Sequence, residues 1–154
     1  MGFLAVLLIA VAALGQPALA NVVAPEVGCC SFAPRTGGTT LVAGDAVSIR
    51  VADRVPVASG HHNVVLHGDA NGFVGASVDD VAAAVRADPA YGGQPICLLS
   101  CNSASNGSAQ ALATQLDVPM QASTGLVGGP RPPAVPEVVL GPGSEWLWFY
   151  PGGA

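Results

Sequence analysis

Two apolar segments of strand length, separated by one predicted helix, constrain the fold of this chain more than any other feature. The first segment, Asn63–Leu66, leads directly into His67, and the second, Ile96–Leu99, ends two residues before Cys101. A strand, a helix and a second strand in this order predict a parallel pair with a right-handed crossover. Because the carboxyl ends of parallel strands share one edge of a sheet, we expect His67 and Cys101 to lie close together.

The flanking residues continue the alternation of strands and helices. Ser77–Asp80 has the pattern of a capping box and predicts a helix through about Ala87. Apolar spacing predicts a second helix over 106–116, followed by a third strand over 118–122. Upstream, 41–51 is predicted to supply a first strand, since apolar and polar residues alternate over 46–51. The pattern as a whole is typical of an α/β domain with a parallel sheet.

The C-terminal region has a different character. Glu137–Leu140 and Trp146–Tyr150 are apolar segments on either side of the turn-forming sequence Gly141–Ser144. Two such segments joined by a short turn predict a C-terminal β-hairpin.

The N-terminus has most features of a secretory signal. Phe3–Leu14 is an apolar run of signal-peptide length, and Ala18–Ala20 fits a small-x-small cleavage site. Neither lysine nor arginine precedes Arg35, so the positive n-region of such signals is missing. We interpret residues 1–20 as a signal peptide rather than as a buried helix or strand. A secreted or cell-envelope protein, with no stable membrane partner beyond this segment, is therefore expected.

Length and composition predict one domain after that segment. A chain of 154 residues with 51% hydrophobic content can bury one core. Residues 21–40 are rich in turn formers and predict a loose leader, which leaves 41–154 as a single α/β domain.

Charge and motif content exclude several functions. The formal net charge is −5, and the five arginines are scattered singly in a chain without lysine. Nucleic-acid binding is not expected because no basic stripe is present to neutralise phosphates. A Gly-rich phosphate-binding loop of the P-loop type needs a lysine, which the chain lacks, and the sequence predicts no cofactor.

His67 and Cys101 together predict nucleophilic chemistry. A cysteine beside a histidine can transfer its proton to the imidazole and attack as a thiolate. Alone, His67 would more often be satisfied by a backbone carbonyl, and Cys101 would more often be a small hydrophobic residue. Gly68 allows the backbone or a substrate to approach closely. The polar turn after Cys101 leads into a helix, whose first N–H groups are expected to favour an anion.

Three other interpretations compete with a thiol dyad. The histidines and cysteines lack the C-x2-C and H-x3-H spacings of zinc sites, so no metal is predicted. Ser100 and Ser103 lie beside the same turn, but no G-x-S-x-G motif surrounds them. If the four cysteines formed two disulfide bonds, with three possible connectivities, Cys101 would have no reactive thiol. Cys97 lies within a predicted strand, where burial as a small hydrophobic residue is more common.

The two segments resemble signature blocks of caspase-like (clan CD) cysteine peptidases. In that family a hydrophobic strand ends in His-Gly, and a later strand ends in a small residue followed by the catalytic cysteine. Leu66–Gly68 and Leu99–Cys101 match both blocks. Three further segments are similar in sequence to C-terminal domains of secreted bacterial polymorphic toxins: Pro95–Asn102, Ala109–Ala113 and Leu116–Pro119. More distantly, it is similar to autoprocessing cysteine protease domains of large bacterial toxins.

The resemblance implies a fold, an activity and partners. It implies a three-layer sandwich around a mainly parallel sheet, with Cys101 as nucleophile and His67 as general base or acid. The amides of Gly68 and Cys101 would form the oxyanion hole. A peptide or protein substrate would bind as an extended strand. A toxin or effector role would also imply a cognate inhibitor protein as a partner.

The substrate pocket and the class of function remain open at this point. By position alone, Asp69, Asn102, Ser123 and Thr124 are candidates to line the pocket. The leading hypothesis is a cysteine peptidase or related thiol acyl-transfer enzyme. The alternative is a secreted, non-catalytic binding or effector module of the same fold, in which the cysteines form disulfide bonds.

Overall fold

Nine strands and three helices are present in residues 38–128 and 138–153, which a computed structural model describes. In chain order they are β1 (Thr39–Leu41), α1 (Ala46–Arg54), β2 (His62–Val65), β3 (Gly68–Asp69), β4 (Gly72–Phe73), α2 (Val78–Ala87), β5 (Ile96–Leu99), α3 (Ser108–Leu116), β6 (Met120–Ser123), β7 (Val127–Gly128), β8 (Val139–Leu140) and β9 (Trp146–Phe149).

The predicted signal peptide over 1–20 and most of the predicted leader over 21–40 lie outside the described residues. Strand β1 begins at Thr39, within the last residues assigned to that leader. Among the helices that the structure describes, none is long and apolar enough to cross a bilayer.

A central five-stranded sheet confirms the predicted parallel α/β architecture. Its strand order is β1-β2-β5-β6-β9, and every neighbouring pair is parallel except β6 and β9. Strands β2, β5 and β6 lie within two residues of their predicted positions, and α2 begins with the predicted capping box at Ser77 and Asp80.

Helices pack on both faces of the sheet. On one face, alternate residues of β2, β5 and β6 pack with α2 and α3; the buried members include Val64, Leu98, Met120, Val85 and Leu112. On the other face, Val65, Cys97 and Leu99 pack with α1. This arrangement fits a three-layer sandwich, and the fully buried Cys97 is the small core residue that its position predicted.

The predicted first strand over 41–51 is wrong, because β1 ends at Leu41 and residues 46–54 form α1. The Asp45 carboxylate caps this helix by accepting the amides of Val47 at 2.9 Å and Ser48 at 3.1 Å. Ser48, Val51, Ala52 and Val55 follow the spacing i, i+3, i+4, i+7 and are all buried or partly buried. The alternation that suggested a strand covers only 46–51, whereas the helical spacing of buried residues continues to Val55.

The predicted C-terminal hairpin is also wrong. The turn does form, with the Ser144 amide donating to the Gly141 carbonyl at 3.0 Å. The segments on its two sides pair elsewhere, however: β8 pairs with β7, and β9 pairs antiparallel with β6. Pairing with β6 lets Trp146 and Trp148 pack on the apolar cluster beneath α1, whereas an isolated hairpin is marginally stable at best.

A buried histidine at the start of β2 links the sheet to the end of α2. His62 is fully buried, and its Nε2 lies 2.8 Å from Thr40 Oγ1 and 3.6 Å from Asp88 Oδ2. Thr40 donates its hydroxyl hydrogen to Asp88 at 2.7 Å and therefore accepts from His62. Burial lowers the pKa of His62, and Asp88 opposes that effect.

This histidine predicts a pH dependence of stability. The unfolded chain binds a proton at His62 near the ordinary pKa of 6.5, whereas the folded chain does so only at lower pH. The free energy of unfolding is therefore expected to fall as pH drops below about 6.5, by at most about 1.4 kcal/mol per pH unit. Denaturant titrations between about pH 8 and pH 5 measure the slope. His62→Gln should have a smaller slope, and an equal slope in both proteins would contradict the assignment.

Candidate active site

The parallel register brings His67 and Cys101 to one cleft, as the sequence predicts. Val65 of β2 lies opposite Leu99 of β5, so His67 and Cys101 are each two residues beyond a paired position. Neighbouring strands are about 4.8 Å apart. Both side chains line a cleft between the end of the sheet and α1.

His67 is held from one side by α1. Its Nε2 lies 2.8 Å from the Asp45 carboxylate and 3.1 Å from the Ser48 hydroxyl oxygen. A carboxylate at that distance places the ring proton on Nε2, because an unprotonated nitrogen would face a negative charge. In the neutral ring with this tautomer, Nδ1 is the nitrogen that can accept a proton.

Asp45 remains ionised at neutral pH and well below it. The hydroxyl and amide of Ser48, the Val47 amide and the His67 ring hold the pKa of Asp45 well below its ordinary value, against the opposing effect of burial. The same carboxylate thus caps α1 and holds His67. With half of its surface exposed, His67 depends on this pair for its orientation.

Cys101 is a free thiol that contacts the backbone of β7. Its Sγ accepts the Val127 amide at 3.4 Å and lies 3.7 Å from the Val127 carbonyl oxygen, to which a thiol can donate. As predicted, a turn follows Cys101 and leads into a helix, since α3 begins at Ser108. The N–H donor that contacts the sulfur comes from Val127, however, and not from the first turn of this helix.

Gly68 and Asn102 show how tightly the two strand ends fit together. A Cβ atom added to Gly68 would overlap the Cys101 carbonyl oxygen and the Ser100 hydroxyl. This explains the glycine after His67, as its sequence position suggested. Asn102 adopts a left-handed backbone conformation, with φ of 57°. Its amide donates to the Gly125 carbonyl at 2.8 Å, which anchors the chain directly after the thiol.

The cleft itself is small and mostly apolar. Its volume is about 80 Å³, and its apolar walls are Val47, Val51, Val65, Leu99 and Val127.

The residues proposed by position for the pocket have other contacts. Asp69 accepts the Asn71 amide at 2.7 Å. The Ser123 hydroxyl donates to Gly125, and the Thr124 hydroxyl accepts the Glu145 amide. With Asn102 in its turn, none of these four residues is among those that line the cleft.

One family model matches the part of the chain that contains this cleft. The model of a family described as a domain of unknown function, DUF8616, matches residues 37–130. The chain belongs to this family. The match spans the domain from β1 to β7, so it includes Asp45, His67 and Cys101. No curated protein and no solved structure matches the chain.

The alternative nucleophiles in this DUF8616 domain are poorly placed. Ser100 is 1% exposed and Ser103 is fully buried, with its hydroxyl donating to the Ser100 carbonyl at 2.9 Å. Neither hydroxyl reaches the cleft. Among the described residues, no three His, Cys, Asp or Glu side chains are grouped as a metal site would require.

Sequence reasoning missed Asp45, Ser48 and Val127. Asp45 had a detectable signal, because an aspartate directly before a helical apolar stripe is a typical N-cap. Ser48 is the first residue of that stripe. Val127 had none, since its contact with Cys101 joins positions 26 residues apart in the chain.

Proposed function

We propose that this protein is a cysteine peptidase or a related thiol acyl-transfer enzyme. One observation carries the proposal: a free thiol and a carboxylate-held histidine line the same cleft at the ends of adjacent parallel strands. A structural cysteine does not need to line a cleft together with a histidine, and a structural histidine does not need a half-exposed ring. A nucleophile, a base and a group that orients the base together form the arrangement used in nucleophilic catalysis.

The proposed reaction begins with a proton transfer between the two side chains. The Cys101 thiol gives its proton to His67 Nδ1, and Asp45 stabilises the resulting imidazolium through Nε2–H. The thiolate attacks the substrate carbonyl carbon, forming a C–S bond and an oxyanion. The amides of Gly68 and Cys101 are the proposed donors to this oxyanion.

Collapse of the oxyanion breaks the C–N bond, and His67 delivers its proton to the departing amine. A thioester on Cys101 remains. Water, deprotonated by His67, then releases the carboxylic acid and restores the thiol; an amine in place of water gives acyl transfer.

The wider proposal follows the family resemblance. The mainly parallel sheet with helices on both faces supports a caspase-like fold, in which the peptide binds as an extended strand. The apolar N-terminal segment supports a secreted or cell-envelope location, and the similarity to polymorphic toxins supports a toxin or effector role with a cognate inhibitor protein as partner.

Covalent labelling tests the proposed function. A peptide chloromethyl ketone alkylates a catalytic thiol: the C–S bond forms and chloride leaves. We expect one adduct per chain, located on Cys101 by peptide mass mapping, in the wild type and in Cys97→Ala. Cys97 is the matched control because it lies within β5, four residues before Cys101, and is fully buried.

The rival interpretation predicts a different result. A non-catalytic module would react no faster than a small thiol in solution, or its Cys101 would be found in a disulfide when the protein is alkylated without reductant. Either outcome would overturn the proposed function. Circular dichroism is used to check that the wild type and Cys97→Ala are folded at the temperature of labelling.

A further inference from the structure

We propose that the cleft beside Cys101 selects a small uncharged aliphatic side chain, of alanine to valine size, on the substrate residue whose carbonyl is attacked. This rests on the proposed function and adds the substrate class. The Cβ of that residue is two bonds from the carbonyl carbon. A side chain attached there enters the cavity that Cys101 itself lines.

The volume of the cleft sets the size of this side chain. A closed apolar cavity of about 150 Å³ holds one benzene molecule, which has six carbon atoms. The present cleft has about 80 Å³, roughly half as much. It therefore holds about three carbon atoms, the number in a valine side chain. Leucine exceeds this by one carbon, and phenylalanine and arginine by four or more heavy atoms.

The walls of the cleft favour an aliphatic group. Val47 and Val51 of α1 face Val65 and Leu99 of the sheet across the cavity, and Val127 lies beside the sulfur. Burial of a methyl or methylene group against such walls contributes about 0.8 kcal/mol per carbon. Ser48, the polar wall residue of α1, lies within hydrogen-bond distance of His67.

His67, the one basic residue among the described residues that line this cleft, is already paired with Asp45, so a charged side chain finds no further partner there. Within the part of the chain that the structure describes, no arginine lines it. Arg50 and Arg86 donate instead to backbone carbonyls, at 3.0 Å and 2.6 Å. A buried charge without a partner is strongly disfavoured.

Labelling rates for a series of probes test this selectivity. The probes are peptide chloromethyl ketones that differ only in the side chain next to the ketone (Ala, Val, Leu, Phe, Asp or Arg). Their reactive group is the same, so differences in labelling rate report on how the cleft accepts that side chain. We expect the Ala and Val probes to label Cys101 at least about 10-fold faster than the Phe, Asp and Arg probes.

Two variants locate the selection in the cleft. Val51→Ala removes two carbons from a wall and is expected to raise the ratio of Leu to Val labelling rates by about 10-fold. Val47→Ala should act in the same direction and keeps the fold, because Val47 is already 53% exposed. Val78→Ala, at the start of α2 on the opposite face, is the control and should leave the ratio unchanged.

The outcomes separate this inference from the proposed function. Fastest labelling by the Asp, Arg or Phe probe would overturn the selectivity while the thiol chemistry stands. An unchanged Leu to Val ratio in both Val47→Ala and Val51→Ala would also overturn it. Absence of labelling with every probe would overturn the proposed function, and the selectivity with it.

Discussion

His67→Ala is expected to slow the reaction of Cys101 with a peptide chloromethyl ketone by about 10²- to 10⁴-fold near neutral pH. The variant removes the group that takes the thiol proton, and a positioned acid or base contributes about that much. His67 is half exposed, so its loss leaves no cavity in the core. The pseudo-first-order labelling rate measures the effect, with Cys101→Ala as the baseline.

Asp45→Asn is expected to slow the same labelling reaction less than His67→Ala does. Asp45→Asn removes the charge that holds Nε2–H while keeping the size of the side chain. We expect a smaller loss, about 10- to 100-fold, because the pair is half exposed and water partly replaces it. Arg50→Ala, at an exposed position of the same helix, controls for general effects on α1. Equal rates for the wild type and His67→Ala would show that Cys101 reacts without a base.

The central strands could be predicted from the sequence because they are buried on both faces. Continuous aliphatic runs such as Ile96–Leu99 have few alternatives to a parallel strand between helices. The helix between β2 and β5 was equally clear, since its capping box is a local pattern. The same two strands determine where His67 and Cys101 lie, so the placement of these two residues at one edge followed from the order of strand, helix and strand.

The rest of the site depends on contacts between distant parts of the chain. Asp45 meets His67 across 22 positions, and Val127 meets Cys101 across 26. A pattern that covers one turn of helix or one strand does not contain such pairings. The pairing of β9 with β6 is similar: the turn at Gly141–Ser144 is a local feature, whereas the choice of partner strand depends on the apolar cluster that Trp146 and Trp148 complete.

Gly68→Ala is expected to reduce both stability and reactivity, because two functional strand ends are in contact at this position. The added methyl group would overlap the Cys101 carbonyl oxygen and the Ser100 hydroxyl, so β2 and β5 must separate at the site. Overpacking of this kind costs about 1 to 3 kcal/mol in the free energy of unfolding. A displacement of about 1 Å between reacting groups lowers the rate by about 100-fold.

Gly92→Ala is the matched control for this variant. Its new Cβ would lie 3.9 Å from the nearest atom of Gln94, so the substitution is expected to be close to neutral. Denaturant titration gives the loss of stability, and chloromethyl ketone labelling of the folded protein gives the rate. A rate that falls while most of the protein remains folded shows that the separation of the two strands matters for chemistry. Gly68→Ala with wild-type stability and rate would mean that Cys101 and His67 tolerate displacement, which a catalytic pair does not.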